Sequence, residues 1–432
     1  MKKTFRVIAA ATIAAGLTVA ALTGCSGNDS TSGSGSKTLN VAYWNYGAAA
    51  VANNKALASG FEKANPGTTI QLTPIAASGW GEYYANLATL IASGKHPDLT
   101  FISSEGVKFL EQNNLVLPIN SYLKSDPAAE KIKKDIAPGL LKSFSVGGNI
   151  TSLPNSWNDM VVYYNKDLFE KAGLPAPDGT WTWDEFEADA QKLTADGVYG
   201  YAWTGTEIFP GVLPWVANQG GNFVSDDVCT ATADSAPVEK AYTFLNGLIQ
   251  KGISPAPPAS NDIISDFENG KVAMFGAGRW PLPTLVQGSV KFDITRFPTG
   301  STYKTVVGAA GYPILKSSKN PDLAWKFQKY SASIEVQNSL IGTASAPYDS
   351  IPSSRTTAEK TVAAGIPPAN SALYYDSVDK FPALTPFPAP AQYSKFESAV
   401  LADTQLIFGG NDTVKEGLAK MQKDLEPIVK CG

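Results

Sequence analysis

Short strand-like runs alternate with amphipathic helical runs after residue 37, and this order constrains the fold more than any other feature of the chain. The run TLNVAYW at residues 38–44 is followed by a helical pattern and then by TTIQLTPI at residues 68–75. A second helical pattern leads to the apolar run PDLTFIS at residues 97–103. Strands joined by helices in this way form a parallel sheet that is covered on both faces. The sequence therefore predicts an α/β fold that begins with such a sheet.

A second series of the same kind begins at MVVYYN, residues 160–165, which is typical of a strand. Asn165 is placed to cap a helix that follows this strand. Thr182 and Glu185 stand three residues apart, which is the spacing of a capping box at the start of another helix. Residues 414–425 carry apolar side chains at spacings of 4, 3 and 4, which predicts a helix near the C-terminus. We therefore expect a second α/β lobe.

The N-terminus has the features of an exported lipoprotein. Three cations precede an uncharged stretch, residues 7–22, which closes on Leu-Thr-Gly just before Cys25. This pattern predicts that residues 1–24 are a signal peptide and that Cys25 becomes the lipid-bearing first residue. Residues 25–37 are rich in Gly and Ser and are predicted to form a flexible tether. A transmembrane anchor, which needs about 20 apolar residues, and an ordinary signal peptide are the alternatives.

Composition and charge argue against several classes of function. The formal charge is −4, and it becomes −7 once residues 1–24 and their three cations are removed, which disfavours nucleic acid as a partner. The single histidine, His96, excludes a histidine metal cluster, and its place before Pro97 predicts an exposed turn. Neither the P-loop nor the dinucleotide-binding glycine motif is present. We therefore expect a protein that acts by binding, with no cofactor, no metal and no catalytic chemistry.

Two cysteines follow Cys25 in the chain, Cys229 and Cys431. An exported protein folds in an oxidising compartment, and an even pair without CxxC spacing indicates a structural disulfide. Such a bond would link Cys229 to the C-terminal end. Two free buried thiols are the alternative.

Tryptophans and carboxylates recur at the ends of predicted strands, where an open α/β sheet binds its ligand. Trp44 ends the first strand, Glu105 follows the third, and Trp280 ends the run FENGKVAMFGAGRW. A flat indole matches the apolar face of a sugar ring, and a carboxylate accepts hydrogen bonds from paired hydroxyls. A crevice between two such lobes is therefore suited to an uncharged carbohydrate. The candidate ligand-binding residues are Trp44, Asn45, Glu105, Trp157, Asn158, Asp159, Trp203, Trp215, Trp280 and Tyr312.

Other tryptophans are not expected to bind ligand, or fit a core position equally well. Trp183 and Trp325 lie within amphipathic helical patterns and are predicted to be core residues, and Trp80 is predicted to begin a helix. Trp203 and Trp215, in a loop-rich stretch, fit a core position and a crevice position equally well.

Five sequence segments carry a family resemblance. They are GFEKANPG (60–67), LIASGKHPDL (90–99), YYNKDLFEKAGLPAP with the TWDEF that follows it, FENGKVAMFGAGRW (267–280) and NPDLAWKFQKY (320–330). Their order resembles that of the extracellular solute-binding proteins of ABC importers, specifically the carbohydrate-binding group that includes maltose-binding protein. The resemblance implies a two-lobe periplasmic-binding-protein type II fold, with a ligand cleft between lobes that hinge shut on a sugar. An ABC permease then receives that sugar.

The resemblance also implies roles for single residues. Trp280 stands where this group has a tryptophan that stacks on a sugar ring, and Glu105 stands where maltose-binding protein has an acidic residue that binds sugar hydroxyls. Asp159 or Asn158 occupies the place of an acidic residue beside the first crossing between lobes. The helix after the first strand lacks the lysine of maltose-binding protein, and the Trp203 loop does not match its aromatic subsite. Only the substrate class therefore carries over.

The expected lobes are each made of two stretches of chain. The predicted boundaries are residues 38–156 plus 298–345 for the N-terminal lobe and residues 157–297 plus 346–432 for the C-terminal lobe. The predicted crossings lie near residues 154–158, 294–298 and 339–347. The resulting hypothesis is a monomeric receptor, tethered to the outside of the cell membrane, that captures a mono- or oligosaccharide for an ABC permease.

Two other functions remain open at this point. The tyrosine pairs 163–164 and 374–375 are of the kind that captures ferric iron. Glu105 and Asp159 are a possible carboxylate pair for a surface glycosidase, which needs two such groups about 5 to 10 Å apart. Colour on addition of iron and product formation from oligosaccharides distinguish these alternatives.

Overall fold

The computed structural model describes residues 37–256, 262–339, 341–375 and 387–431. The predicted signal peptide, Cys25 and the tether up to residue 36 lie outside the described residues. Within the described ranges, no helix combines the length and the hydrophobicity needed to cross a bilayer.

Three parallel strands in the order β2-β1-β3 form the first sheet: β1 (Thr38–Asn45), β2 (Thr69–Ala76) and β3 (Leu99–Thr100). The crossovers are helices α1 (Ala48–Ala64) and α2 (Trp80–Ala92). Since β1 is central and covered on both faces, Leu39, Val41 and Ala42 are all fully buried. The predicted β-α-β-α-β order and its parallel sheet are confirmed.

The run predicted as one buried strand at residues 97–103 is divided between two sheets. β3 belongs to the first sheet, whereas β4 (Ile102–Ser103) pairs with β11 (Val307–Gly311). Phe101 lies between them, and its backbone N–H still donates to Ala42 of β1. This change of sheet carries the turn that follows, residues 104–106, to the boundary between the sheets.

Three antiparallel strands in the order β10-β8-β9 form the second sheet: β8 (Val161–Asn165), β9 (Met274–Ala277) and β10 (Phe292–Thr295). Helix α7 (Lys166–Lys171) follows β8, and the side chain of Asn165 accepts a hydrogen bond from its backbone, as predicted. Helix α8 (Trp183–Leu193) opens with the predicted capping box of Thr182 and Glu185.

A four-stranded antiparallel sheet in the order β14-β7-β11-β4 draws its strands from four separate segments of the chain. β7 (Pro154–Asp159) leads into β8 through Met160 alone, so it is continuous with the second sheet. The chain returns from β10 to β11 over residues 296–306, and β14 (Ile351–Pro352) adds the outer strand. This sheet therefore connects the two others.

The remaining elements complete the layers around these sheets. Before β7 they are α3 (Val107–Gln112), α4 (Asn120–Ser125), α5 (Pro127–Asp135), α6 (Pro138–Ser143) and the hairpin of β5 (Ser145–Val146) and β6 (Asn149–Ile150). Between β8 and β11 they are α9 (Leu213–Asn218), α10 (Ala236–Gln250), α11 (Ile263–Glu268) and α12 (Leu282–Leu285). After β11 they are α13 (Pro321–Ser331), α14 (Ile334–Ser339), the hairpin of β12 (Gly342–Thr343) and β13 (Ala346–Pro347), α15 (Arg355–Ala363), α16 (Tyr393–Phe408) and α17 (Val414–Leu425).

The predicted C-terminal helix is α17, and it packs on α16 and α10. Its apolar side chains Leu418, Met421 and Leu425 are buried. α16 is joined to α10 by a hydrogen bond of 2.6 Å between the hydroxyls of Tyr242 and Thr404. We call the elements around the first sheet, including α1 and α2, the first lobe, and those around the second sheet, including α7 to α10, α16 and α17, the second lobe.

Cys229 and Cys431 form the predicted disulfide, with their Cα atoms 4.4 Å apart. The bond ties the end of the chain to the segment before α10. His96 is exposed, as predicted, whereas Trp183 and Trp325 are buried core residues.

Candidate ligand-binding site

Four aromatic side chains form a row along the edge of the first lobe, in the order Tyr46, Trp44, Trp80 and Tyr84. The ring of Trp44 lies 5.3 Å from that of Tyr46 and 4.6 Å from that of Trp80. Trp80 stacks on Tyr84 at 5.8 Å, with an angle of 24° between the rings. Trp44 is oriented by its Nε1, which donates to the carbonyl of Ala77 at 2.9 Å. Because Trp44 and Trp80 are half-buried, this aromatic row offers apolar surface to a ligand.

Asn45 and Tyr46 continue from the end of β1. The half-buried Asn45 accepts a hydrogen bond from the backbone N–H of Gly47 at 3.2 Å, which closes a short turn just before α1. The Tyr46 hydroxyl donates to Oδ2 of the buried Asp349 at 2.6 Å, and Asn53 donates to the same oxygen at 3.3 Å. Asp349 precedes β14, so this contact joins the edge of the first lobe to the four-stranded sheet.

Glu105 lies in the turn that follows β4 and is 2% exposed. The Ser104 hydroxyl donates to its Oε2 at 3.2 Å. A Cβ placed on Gly308 of β11 would lie 3.6 Å from Oε1 of Glu105 and 3.1 Å from the ring of Phe209. The absence of a side chain at Gly308 therefore lets this carboxylate and a ring from the second lobe share one face of β11.

Two further carboxylates, from the second lobe, meet the N-terminus of α2. Oε2 of Glu397 in α16 accepts the backbone N–H of Gly81 at 3.0 Å, and its Oε1 accepts the N–H of Ile208 at 3.4 Å. Oε1 of Glu207 accepts the N–H of Trp80 at 3.4 Å. The first N–H groups of a helix lack partners within the helix and carry partial positive charge, so they suit carboxylates. Side chains of one lobe thus cap a helix of the other.

Two glycines make this contact possible. A Cβ on Gly81 would collide with Oε2 of Glu397, and a Cβ on Gly79 would lie 2.9 Å from Cγ of Glu207. Any larger residue at either position would push the carboxylates away from the start of α2.

Glu105, Glu207 and Glu397, which we call the carboxylate cluster, influence one another's protonation. Burial raises the pKa of Glu207, and the charges of Glu397 and Glu105 raise it further. Burial also raises the pKa of Glu397, against the hydrogen bonds from Tyr393 and from the backbone of Ile208 and Gly81, which lower it. The pKa of Glu105 is likewise raised by burial. The cluster therefore holds protons more tightly than carboxyls in water.

Trp280 and Asn158 lie together at the ends of β9 and β7. A Cβ on Gly278 would strike the ring of Trp280 on one side and lie 3.0 Å from Cβ of Asn158 on the other. Oδ1 of Asn158 accepts the backbone N–H of Arg279 at 2.9 Å, which fixes the chain just before Trp280. Trp280 and Asn158 are half-buried, so both have surface available to a ligand.

Arg279 is a buried cation at this end of the site, 1% exposed. Its Nη1 donates to the Tyr375 hydroxyl at 3.5 Å, and its Nε has no acceptor among the described residues. Burial raises the pKa of Asp349, and the charge of Arg279 opposes this shift. Through Asp349, the Trp280 end of the site is connected to Tyr46 in the aromatic row.

Asp159 lies at the end of β7, 1% exposed, beside a buried tyrosine pair. The hydroxyls of Tyr163 and Tyr374 are 2.5 Å apart, and Tyr163 donates to the carbonyl of Gly278 at 2.7 Å. Burial raises the pKa of both phenols, and the charge of Asp159 raises it further. Successive strand residues face opposite sides, so Asp159 and Asn158 do not share a face of β7. Of these two, the structure brings Asn158 to Trp280.

Four further predicted ligand-binding residues lie in the interior of the protein and not at the candidate site: Trp203, Trp215, Trp157 and Tyr312. Trp215 is fully buried in the second lobe, packed on Phe186 and Phe297, and donates to the Tyr201 hydroxyl at 3.2 Å. Trp203 also lies in that interior, where its ring stacks on Tyr201. These positions follow from aromatic packing around α8 and α9, which removes both rings from solvent.

Trp157 and Tyr312 are held in the interior as well. Trp157, at the middle of β7, donates to the carbonyl of Pro352 at 3.1 Å and is 4% exposed. The Tyr312 hydroxyl donates to Asn54 at 2.9 Å, and its ring packs on Phe101 in the first lobe. Both side chains therefore support the sheets that carry the site.

Sequence reasoning missed Trp80, Glu207, Glu397 and Arg279. Arg279 had a local signal, since an arginine interrupts a run of small residues just before Trp280. Glu397 had none, because it is 316 residues away from its partner Gly81. Among the described residues, no group of three or more His, Cys, Asp or Glu side chains is arranged to hold a metal ion.

Comparisons with known proteins agree with this architecture. Residues 38–338 match the model of the family described as bacterial extracellular solute-binding protein. A putative binding protein of Brucella abortus is 28% identical over 62% of this chain, and the match spans 65% of that relative's length. The multiple sugar-binding protein of Streptococcus mutans is 26% identical over 73% of this chain and 76% of its own.

The fold also matches solved structures. An ABC substrate-binding protein of Listeria monocytogenes in complex with cycloalternan superposes with a TM-score of 0.78, at 22% identity, over 90% of this chain and 98% of that one. The chain has the two-lobe α/β fold of such proteins, with its candidate site between the lobes. Since the family model covers most of its length, the chain belongs to the family of bacterial extracellular solute-binding proteins.

Proposed function

We propose that this protein is the substrate-binding component of an ABC sugar importer, which captures a mono- or oligosaccharide between its lobes and delivers it to the permease. The observation that carries this proposal is the meeting of half-buried indole rings with carboxylates from both lobes. Trp44 and Trp80 belong to the first lobe and Trp280 to the second, while the charge of Glu105 in the first lobe raises the pKa of Glu397 in the second, which burial raises most. Indole faces and carboxylates together suit a neutral polyol.

Known relatives support the same substrate class. One bears the name multiple sugar-binding protein, and a solved structure of the same fold contains cycloalternan, a carbohydrate. We extend this class to the present chain, and we do not extend the identity of any one sugar.

Capture proceeds by hinge closure in this proposal. The lobes take the boundaries predicted from the sequence, 38–156 plus 298–345 and 157–297 plus 346–432. The ligand shifts the equilibrium toward the closed arrangement because it contacts both lobes at once. The cap that Glu207 and Glu397 form on α2 is the protein's own contribution to closure.

No bond is made or broken in this mechanism, and the two alternative functions have less support. Ferric capture requires tyrosinate oxygens, whereas Tyr163 and Tyr374 are hydrogen-bonded to each other and burial raises the pKa of each. A glycosidase would use Glu105 and Asp159 as a pair. The charge of Asp159, however, acts on the tyrosine pair, whereas that of Glu105 acts on Glu207 and Glu397.

The proposed location is extracytoplasmic, with the protein held at the cell membrane by a lipid on Cys25. The leader pattern supports this anchor, and family membership supports the side of the membrane. The proposed partners are the transmembrane subunits of an ABC permease, met by a monomer.

A thermal-shift screen against a panel of mono- and oligosaccharides tests the proposal, because a bound ligand raises the melting temperature by mass action. At least one sugar is expected to stabilise the wild-type protein and to lose most of this effect with Trp280→Ala. Tyr199→Ala is the matched control, since it removes an aromatic ring that is 40% exposed elsewhere. If no sugar of the panel stabilises the protein, the proposal is wrong.

A further inference from the structure

The buried tyrosine pair, Tyr163 and Tyr374, has no role in the proposed function so far, yet it is bonded to the segment that leads to Trp280. Both side chains are fully buried, so neither contacts a ligand. Tyr163 belongs to β8, where it pairs with Phe275 of β9, and the two rings stack at 4.9 Å. β9 ends at Ala277, just before Trp280. The hydroxyl of Tyr163 therefore meets the chain where the hydrogen bonds of the strand stop.

One peptide group, between Gly278 and Arg279, is held at both of its polar atoms by side chains. Its oxygen accepts from the Tyr163 hydroxyl at 2.7 Å, and its N–H donates to Oδ1 of Asn158 at 2.9 Å. A peptide group is planar, so two such bonds fix its orientation. Past the end of β9, these side chains replace the partners that a neighbouring strand supplies within the sheet. The backbone that leads into Trp280 is therefore held in one orientation.

The ring of Trp280 packs against Gly278 itself. A Cβ at Gly278 would collide with Cζ3 of the ring and would lie 2.8 Å from its Cε3. Since the indole is half-buried, part of it rests on this backbone and part of it is open to a ligand. A rotation of the Gly278 peptide would thus move the surface on which the indole rests.

Tyr374 directs the proton of Tyr163. The two hydroxyl oxygens are 2.5 Å apart, and a phenol has a single proton to donate. Since Tyr163 donates to the carbonyl of Gly278, Tyr374 is the donor within the pair. Hydrogen bonds in such a chain polarise and strengthen one another. The guanidinium of Arg279 also lies over the Tyr374 ring, 6.0 Å from its centre, which adds a second link between the pair and the same peptide.

We propose that Tyr163 is a positioning residue, which holds Trp280 in the orientation that stacks on a sugar, and that Tyr374 supports it. Tyr163 does not contact the sugar and acts only through the Gly278 peptide. The inference rests on the proposed function for the role of Trp280 in binding. The position of the Trp280 ring, however, can be measured without any sugar.

Tyr163→Phe tests this role, because it keeps the ring and removes only the hydroxyl. Tyr242→Phe is the matched control, since Tyr242 is also a fully buried phenol of the second lobe, bonded to Thr404 at 2.6 Å. The sugar-free protein is labelled with ¹⁵N-tryptophan, and the Nε1–H resonance of Trp280 is assigned with Trp280→Phe. This resonance is expected to shift in Tyr163→Phe and to stay in place in Tyr242→Phe. Tyr374→Phe is expected to shift it in the same direction by a smaller amount.

A double-mutant cycle tests whether Tyr163 acts through Trp280. Glucose, galactose, maltose and sucrose are titrated separately by calorimetry. For a sugar that binds, Tyr163→Phe is expected to weaken the affinity by about two- to tenfold, as for the loss of one hydrogen bond. The same change in the Trp280→Ala background is expected to cause no further loss.

The outcomes separate this inference from the proposed function. A Trp280 resonance that is unchanged in both Tyr163→Phe and Tyr374→Phe overturns the inference, whether or not a sugar binds. A shift of equal size in Tyr242→Phe also overturns it, because the loss of any buried hydroxyl would then have the same effect. Equal losses of affinity in both backgrounds overturn it too, since Tyr163 would then act on other contacts. A shifted resonance in a protein that binds none of the four sugars supports the positioning and counts against the proposed function.

Discussion

Raising the pH is expected to weaken the contact between the carboxylate cluster and the start of α2. The pKa of Glu207 and that of Glu397 are raised above the ordinary value of 4.5 where the lobes meet, first by burial and then by neighbouring carboxylates. When the lobes separate, water reaches these groups and their pKa returns toward 4.5. Such a carboxyl makes its full contribution to the free energy of the contact below pH 4.5, where it is protonated in both states. This contribution is lost as the pH rises through the raised pKa.

The size of the effect follows from proton linkage. Each proton that must be taken up for the lobes to meet changes the free energy of the contact by about 1.4 kcal/mol per pH unit, which is about tenfold in the ratio of closed to open molecules. If Glu207 and Glu397 both take up a proton, the limit is about a hundredfold per pH unit. The hydrogen bonds from Gly81 and Ile208 oppose this trend, because they favour the charged form of Glu397.

Small-angle X-ray scattering of the unliganded protein measures the outcome. The radius of gyration is expected to increase as the pH is raised from about 5 to about 9. A variant with Glu207→Gln and Glu397→Gln is expected to stay compact over the same range, since amides do not titrate there and still offer an acceptor oxygen. Glu359→Gln, an exposed change on α15, is the matched control and is expected to behave as the wild type.

Two results would refute this reasoning. A radius of gyration that is constant in the wild type would mean that the lobe contact takes up no protons. An equal expansion in the double amide variant would mean that other groups are responsible.

Three further predictions concern single positions. Trp280→Ala is expected to weaken sugar binding by about 1–3 kcal/mol, as for the loss of a central aromatic contact, and calorimetry with a sugar from the thermal-shift screen measures it; unchanged affinity would exclude stacking on this ring. Gly81→Ala places a methyl group against Glu397 and is expected to give a larger radius of gyration at low pH. An unchanged radius would show that α2 shifts to accommodate the methyl group without loss of the contact. Replacing Cys229 and Cys431 with serine is expected to lower the free energy of unfolding by about 2–5 kcal/mol in urea denaturation, and a loss near zero would show that the bond does not restrain the unfolded chain.

The first sheet and the helix caps were predictable because their signals are local. Thr182 and Glu185 form a capping box that involves four residues of sequence, and the alternation around β1 extends over a single β-α-β-α-β unit. The division of residues 97–103 was not predictable, because β4 pairs with β11, which lies about two hundred residues further along the chain. A uniform apolar run has the same pattern whether it serves one sheet or two.

Strand ends were a useful guide to the site, while residue type alone was not. Trp44 lies at the end of β1, Trp280 and Glu105 follow β9 and β4, and each lies near the boundary of the lobes. Trp215 and Tyr312 are also large and polar-tipped, but inside a lobe the Tyr201 hydroxyl accepts from the first and the Asn54 amide oxygen accepts from the second. An aromatic residue with a hydrogen-bonding tip serves a core as well as a cleft, so only three-dimensional packing distinguishes the two.

Ligand binding and lobe closure use some of the same groups in this molecule. Glu397 is bonded to the start of α2 and raises the pKa of Glu207 by its charge, and Glu105 adds to this effect from the first lobe. A sugar that donates hydroxyl hydrogens to these carboxylates would stabilise their charged forms, since hydrogen bonds to a carboxylate lower its pKa. Bound sugar and bound protons are therefore alternative ways to relieve the same repulsion, so the sugar should hold the lobes together at pH values where the empty protein has opened.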